Sequence, residues 1–208
     1  MIVVDKLARP LKRKTYDVIV WWVVSLILRI GKKRVERNFN IQSNNMSVLF
    51  NTQYHWYHSW LDYTLAAALK YRGFDVKMMV CDGLPYCEQQ TLTVKRPSCK
   101  QCFKNTEKRA KLFEINIVKV SDHSTTNDID EFSKISQNKD LGYLREFKYK
   151  NVNIGNIAFR NFTHFYKGVR EIGPEQELVF RKCIHSALIL CEATSKLFQI
   201  NEFDKVIT

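Results

Sequence analysis

Four cysteines lie close together in the sequence, with the spacing Cys81-x5-Cys87-x11-Cys99-x2-Cys102. Four thiolates suit a closed tetrahedral zinc site, and the same donors can hold an iron–sulfur cluster. Neighbouring basic side chains would offset the negative charge of the thiolates: Lys95, Arg96, Lys100 and Lys104. The spacing therefore predicts a structural zinc site, with an iron–sulfur cluster, two disulfides or free thiols as the alternatives.

A second group of reactive side chains is the aromatic-histidine loop, residues 53–58, which reads Gln-Tyr-His-Trp-Tyr-His. A neutral imidazole can act as a general base near pH 7, so His55 and His58 are the catalytic candidates. Tyrosine and tryptophan rings stack on sugars or bases. We therefore expect substrate contacts from this loop and from a later cluster, namely from Gln53, Tyr54, Trp56, Arg160 and His164. The alternative is that the aromatic rings pack on the domain surface and the histidines cap a helix.

The elements around this loop form a predicted β-α-β unit. Residues 47–52 are a short apolar run suited to a buried strand, and residues 58–71 repeat apolar side chains at helical spacing. Gly73 stands where a helix end favours a left-handed residue, and a second strand follows over residues 75–81. A crossover helix implies parallel strands, and parallel sheets bind ligands beyond the carboxyl ends of their strands. The loop should therefore lie at the mouth of a cleft.

The rest of the chain continues the alternation of helices and strands. Helices are predicted over residues 103–114, 129–135, 158–167 and 175–198, and strands over 115–120 and 204–208, the last one buried and parallel. Residues 152–157 read as a turn or short strand. Cys183 and Cys191 fall in an apolar helical pattern and are predicted to be core thiols. The alternation predicts an α/β fold with a Rossmann-like parallel sheet, flanking helices, a cysteine-rich loop and an N-terminal amphipathic helix.

The N-terminal segment carries much of the net charge of +12, since residues 1–37 hold ten Lys or Arg against three acidic residues. Its uncharged apolar run, residues 18–28, is too short for a spanning helix of about 20 residues. Trp21 and Trp22 with basic residues at both ends favour a helix lying in the membrane interface, and a helix packed on the domain is the alternative. We predict a basic membrane-surface segment and linker over 1–45 and a Rossmann-like domain over 46–208.

The pattern VLF…H…W…H, the helix end YRGFDV, the run Cys-Asp-Gly-Leu-Pro-Tyr-Cys and the Cys-x2-Cys pair resemble the N-terminal domain of GT-B-type bacterial glycosyltransferases of surface-polysaccharide biosynthesis. The stretch Ile-Gly-Asn-Ile-Ala at 154–158 with Arg160, and the long helix before 204–207, also fit. The resemblance covers about residues 47–208. The cysteine pattern is its distinctive part.

This resemblance implies the acceptor-binding half of a glycosyltransferase, which transfers a sugar from a nucleotide-sugar to a glycan or lipid-linked acceptor. A second Rossmann-like domain, from a partner chain or a missing portion, would bind the nucleotide-sugar donor, so this chain is not expected to be active alone. By position, His55 and His58 match where family members approach the acceptor. The basic N-terminus fits a cytoplasmic protein peripheral to the inner face of the membrane.

Two other functions are compatible with the sequence. A metal-stabilised nucleic-acid-binding module would use the net charge, the Cys-x2-Cys pair and the aromatic residues. The charge is concentrated beside the apolar N-terminal run and not around those residues, so nucleic acid is not the expected partner. A non-catalytic scaffold on the membrane surface is the third alternative.

Overall fold

The computed structural model describes residues 46–52, 57–86, 98–166 and 172–207, which fold around one four-stranded sheet. Its strands are β1 (Ser47–Thr52), β2 (Asp75–Val80), β3 (Asn116–Lys119) and β4 (Lys205–Ile207). The strand order is β3-β2-β1-β4, and every pair is parallel. The predicted α/β fold with a Rossmann-like parallel sheet and flanking helices is confirmed.

Two layers of helices enclose the sheet. The first layer consists of α1 (Tyr57–Lys70) and α2 (Cys99–Phe113). The second layer consists of α3 (Thr126–Asn138), α4 (Leu141–Glu146), α5 (Ile154–Phe165) and α6 (Pro174–Ile200). A 3₁₀ turn, Val120–His123, joins β3 to α3.

Alternation along β1 divides the core between the two layers. Val48 and Phe50 belong to the cluster that includes Tyr63 of α1 and Phe113 of α2. Leu49, between them, belongs to the cluster that includes the helices of the second layer. Side chains of opposite parity point to opposite faces of a strand, so both faces of the sheet are covered, as a buried parallel sheet requires.

The β1-α1-β2 unit matches its prediction closely. Ser47 pairs with Asp75 and Thr52 with Val80, so the two strands are in register along their whole length. Gly73 adopts a φ of 86°, which places it in the left-handed region that ends a helix at little cost for glycine. Helix α1 ends at Lys70, one residue before its predicted end.

Helix α6 is the longest element of the second layer and extends well beyond the sheet. Its 27 residues span about 40 Å, whereas a six-residue strand spans about 20 Å. Near the C-terminal end of α6, Asn201 accepts a hydrogen bond from Lys77 at 2.8 Å. Farther along α6, Ser186 accepts one from the backbone amide of Tyr86, in the loop after β2, at 2.8 Å. The N-terminal part of α6 therefore lies past the carboxyl edge of the sheet, where α3 and α5 pack against it.

The predicted burial of the last strand is wrong. β4 pairs with β1 over Lys205–Ile207, which confirms a parallel strand, but Val206 is 46% and Ile207 is 37% exposed. The reason is its place in the sheet, since β4 is an edge strand paired on one side within the described ranges. Val206 pairs with Leu49 and Ile207 with Phe50, so each points to a different face of the sheet.

Several boundaries also differ from prediction. Helix α2 begins four residues earlier than predicted, because Ser98 caps it by accepting a hydrogen bond from the amide of Gln101. Helix α3 is longer at both ends, with a capping box between Thr125 and Asp128. Helix α4 was not predicted. The described residues contain no helix that is both long and apolar enough to cross a membrane, and the run at 18–28 lies outside them.

Candidate functional site

The carboxyl edge of the sheet is the candidate site, defined by the last residues of β1, β2 and β3 and the segments that follow them. In the order β3-β2-β1-β4, the chain moves outward from β1 through β2 to β3 and then returns to the other side of β1. Open α/β sheets bind ligands where the strand order reverses, outside the carboxyl ends of the strands. The reversal lies between β1 and β4, so the segment that leaves β1 stands at this switch point.

That segment is the aromatic-histidine loop. Residues 53–56 lie outside the described part of the chain, so the predicted contacts of Gln53, Tyr54, His55 and Trp56 stay predictions. His58 lies in the first turn of α1, although its side chain is not among those described. The fold defines the two ends of the loop, which leaves β1 after Thr52 and joins α1 at Tyr57.

Arg160 and His164 lie on α5, and both are exposed. Phe162, between them, packs edge-on against Phe180 of α6, with ring centroids 5.8 Å apart. Phe180 belongs to the part of α6 that projects past the carboxyl edge, so Arg160 and His164 lie at the same end of the domain as the loop after β1. Whether they meet that loop across a cleft stays a prediction, because the loop is outside the described residues.

Cys81 follows β2 directly and occupies a partly buried position at the carboxyl edge. Burial raises the pKa of its thiol, and hydrogen bonds from the backbone amides of Leu84 and Gly83 oppose that rise without cancelling it. The negative charges of Asp82 and of a Cys99 thiolate would raise the pKa further. The sulfur therefore has two backbone donors directed at it but needs a cation nearby to remain a thiolate at neutral pH.

Cys99 and Cys102 lie in the first turn of α2, at positions i and i+3 of one helix. Cys99 is near enough for its charge to act on Cys81, while Cys102 acts on Tyr63 of α1. Among the described residues, no three His, Cys, Asp or Glu side chains are close enough together to hold a metal ion. Cys87, the fourth predicted ligand, lies outside them. The zinc site therefore stays a prediction.

No disulfide joins the described cysteines, which are Cys81, Cys99, Cys102, Cys183 and Cys191. Cys183 is buried, as predicted for a core thiol, and burial raises its pKa to about 12. Cys191 is only partly buried. Both belong to α6 and pack in the core of the second layer, which fits inert side chains.

Asp82 is a polar residue of the carboxyl edge that the sequence did not single out. Its carboxylate accepts a hydrogen bond from the backbone amide of Ser121 at 3.2 Å and another from the Ser121 hydroxyl. Ser121 stands just after β3, so the pair ties together the segments leaving two neighbouring strands. The sequence signal that could have identified Asp82 as a residue of this edge is an acidic side chain just after a predicted buried strand.

A buried polar network in the second layer was also missed. Glu192 of α6 is 6% exposed and accepts a hydrogen bond from the Tyr149 hydroxyl at 2.8 Å. It pairs with Lys150 at 2.6 Å and with Lys196 at 3.3 Å, and Lys196 also pairs with Asp128 at 2.6 Å. Glu192 and Lys196 lie on α6, Asp128 lies on α3, and Tyr149 and Lys150 lie in the turn before α5. The network therefore braces α6 against α3 and that turn.

The network shifts the acidity of its members. Burial alone would raise the pKa of Glu192, but hydrogen bonds from Lys150, Tyr149 and Lys196 outweigh it and lower that pKa. Burial and the Glu192 carboxylate raise the pKa of Tyr149 far above its usual value. Hydrogen bonds from Lys196 and from the amide of Thr125 lower the pKa of Asp128 to about 2. The acids are thus ionised and the phenol protonated near neutral pH.

The chain matches no protein-family model, and no curated protein is significantly similar to it. The fold and the arrangement at the carboxyl edge are therefore the basis for a functional proposal.

Proposed function

We propose that the domain formed by residues 46–208 binds the acceptor in a glycosyl-transfer reaction, at the carboxyl edge of its sheet. The acceptor is a glycan or a lipid-linked saccharide. The nucleotide-sugar donor binds to a second Rossmann-like domain, on a partner chain or beyond this sequence, so this chain alone does not transfer sugar.

The observation that supports this proposal most is the position of the loop after β1. The strand order places the departure of that loop at the reversal between β1 and β4, where open α/β sheets bind ligands. The loop sequence offers the aromatic faces of Tyr54 and Trp56 before α1 begins. The two imidazoles belong to His55, in the loop, and His58, in the first turn of α1. Aromatic faces suit sugar rings, and His55 or His58 would remove the proton from the attacking hydroxyl.

Saccharide binding to the full chain tests the proposal. We expect methyl glycosides of glucose, galactose and N-acetylglucosamine, screened by saturation-transfer NMR, to include at least one binder. Trp56→Ala should weaken its binding at least fivefold, because loss of one stacking face costs on the order of 1 kcal/mol. Tyr143→Ala is the matched control, since Tyr143 is an exposed aromatic on α4.

Equal binding by the Trp56→Ala and Tyr143→Ala variants would place any saccharide contact away from the loop. Absence of binding by every glycoside and by a lipid-linked saccharide would remove the proposal altogether. Binding of single-stranded RNA that weakens steeply with salt, in place of saccharide binding, would favour the nucleic-acid module instead.

We also propose that Cys81, Cys87, Cys99 and Cys102 hold a structural zinc ion beside this edge. Support comes from the hydrogen bonds that two backbone amides donate to the Cys81 sulfur and from the proximity of Cys99 to Cys81. Zinc would hold the loop between β2 and α2 and would keep the thiols deprotonated. We expect about one zinc per chain by elemental analysis, reduced in Cys99→Ser and unchanged in Cys183→Ser. No metal above background in the unmodified protein would exclude this site.

The N-terminal segment, residues 1–45, is proposed to hold the protein on the inner face of the membrane. Its apolar run with two tryptophans lies between basic clusters, which suits an interfacial helix. A peripheral position would keep the domain near lipid-linked acceptors. Recovery of the intact chain only in the soluble fraction of gently lysed cells, under low salt, would contradict this placement.

A further inference from the structure

Helix α1 exposes two leucines on its outer face, although its inner face already packs in the core. Its inner face buries Tyr63, Ala66 and Ala67 against the sheet. Its outer face carries Leu61, 59% exposed, and Leu65, 45% exposed, four residues apart and therefore on one stripe.

The neighbouring helix α2 has the opposite character on its outer face. Its exposed side chains recur at helical spacing and are mostly lysines, at Lys100, Lys104, Lys108 and Lys111. One acidic residue of α2, Glu107, is half-buried, and the exposed Glu114 lies just past the helix end. The outer face of α2 is thus a positively charged stripe along about three turns.

The two stripes lie side by side on one surface of the domain. Tyr63 of α1 stacks on Phe113 of α2, with ring centroids 5.7 Å apart, and its hydroxyl donates to the carbonyl of Thr106 at 3.3 Å. Both helices pack their inner faces on the same side of the sheet, so both outer faces point the same way. An exposed leucine pair beside a row of lysines is the combination that binds the interface of an anionic membrane.

The start of the domain lies at one end of the same surface. The carbonyl of Met46 accepts a hydrogen bond from the amide of Asp75 at 3.0 Å, and Asp75 follows the connection out of α1. The segment 1–45, with its basic clusters, therefore enters the described fold next to the C-terminal end of α1. A membrane contact by that segment and one by the α1–α2 surface can be continuous.

We propose that the outer face of α1 and α2 is a second membrane-docking surface, which binds anionic phospholipids through Leu61, Leu65 and the four lysines of α2. This inference rests on the proposed membrane association but assigns part of it to the folded domain. The lysines attract phosphate head groups, and the leucines insert among the acyl chains near the head groups. Docking on this face leaves the carboxyl edge of the sheet at the side of the domain, near the membrane surface.

Vesicle binding by the full chain provides the test, with phosphatidylcholine vesicles prepared with and without phosphatidylglycerol. Each lysine near an anionic surface contributes about fivefold in affinity, so the double variant Lys104→Gln, Lys108→Gln should bind roughly 25-fold more weakly to the anionic vesicles. The double variant Leu61→Ser, Leu65→Ser should weaken binding to both kinds of vesicle. The matched control is Lys134→Gln with Lys182→Gln, two exposed lysines of the second layer.

The outcomes separate the two membrane contacts. If the α2 lysine variant and the control bind as tightly as the unmodified chain, the folded surface does not dock and the N-terminal segment carries all binding. If the unmodified chain binds neither kind of vesicle, both proposals fail. If the lysine variant loses affinity for single-stranded RNA but not for vesicles, the stripe is a nucleic-acid surface and this inference is overturned. Circular dichroism and thermal unfolding check that each variant is folded.

Discussion

The two helical layers on either side of the sheet are built differently. The second layer buries large aromatic and aliphatic side chains among four helices and adds a network of ion pairs around Glu192. Among the described residues the first layer has two helices, and its outer face presents leucines and lysines. In the second layer an ion-pair network joins α6 to α3 and to the turn before α5, whereas the outer face of α2 in the first layer presents a row of lysines to solvent.

This difference indicates where the fold is fixed and where it is free to serve contacts. In the core of the second layer, a substitution that adds or removes a charge or a methyl group disturbs the packing, because each buried side chain contacts its neighbours on every side. On the outer face of the first layer the same substitutions fall at solvent-exposed positions. Stability of the fold therefore does not explain which residues occupy this face. Comparable substitutions should therefore cost more stability in the second layer than on the outer face of the first layer.

The largest expected effect is that of Gly155→Ala in the second layer. A Cβ atom at Gly155 would collide with the backbone carbonyls of Leu144 and Arg145, neither of which can move without shifting α4. We expect a loss of at least about 3 kcal/mol in the free energy of unfolding, measured with urea. Gly142→Ala, where the nearest atom is a carboxylate oxygen of Asp140 at 3.2 Å, should change stability by less than about 1 kcal/mol. Similar costs at both positions would show that α4 and α5 adjust freely.

Removing the centre of the ion network comes next. Glu192→Ala leaves Tyr149, Lys150 and Lys196 without their common acceptor, which should cost about 2 kcal/mol, since hydrogen bonds to charged groups contribute roughly 1.5–3 kcal/mol each and the lysines are partly solvated. Glu131→Ala, an exposed acid on α3, should cost less than about 0.5 kcal/mol. Equal urea midpoints for the two variants would mean that the network does not brace the second layer.

Acid should weaken the second layer through Asp128. Its folded pKa of about 2 lies below the ordinary aspartate value of 3.8, so the unfolded state takes up the proton first as pH falls. The stability due to Asp128 is present above about pH 4 and is lost as pH falls through about 2. The unfolding free energy of Asp128→Asn should therefore fall less between pH 5 and pH 2.5 than that of the unmodified chain. Parallel pH curves would assign the acid sensitivity to other carboxylates.

The smallest effect is expected on the outer face of the first layer. Leu65→Gln should leave the unfolding free energy within about 0.5 kcal/mol, because nearly half of the residue is already exposed to water. Leu144→Ala, at a fully buried position of α4, should instead cost about 3 kcal/mol. A large loss for Leu65→Gln would mean that another part of the protein covers α1 in solution.

Sequence patterns predicted the β1-α1-β2 unit within one residue because its signals are local. A continuous apolar run, a helical repeat and Gly73 each specify backbone geometry without help from distant residues. Helix α4 was missed because six residues give too little periodicity. Asp140 nevertheless caps it by accepting a hydrogen bond from the amide of Tyr143 at 2.8 Å. The exposure of β4 could not be predicted, since a strand sequence does not say whether it has one neighbour or two.

The candidate site was predictable only in part for a similar reason. The position of the loop after β1 follows from the order of strands along the chain, so the predicted cleft mouth has a definite place in the fold. The ties between Asp82 and Ser121 and around Glu192 join residues 39 to 68 positions apart, and no local pattern marks such pairs. Whether the four cysteines gather around one ion depends equally on distant packing.

Helix α6 also bears on how the domain forms during synthesis. It contacts the sheet through pairs that are far apart in the chain, such as Thr194 with Met79 and Asn201 with Lys77. Strand β4, which follows α6, completes the sheet beside β1. The β1-α1-β2 unit leaves the ribosome more than 100 residues before these partners, with the second-layer face of its strands uncovered. Native packing of that face must wait for α6, so we expect the nascent chain to need protection from aggregation until residue 207 has emerged.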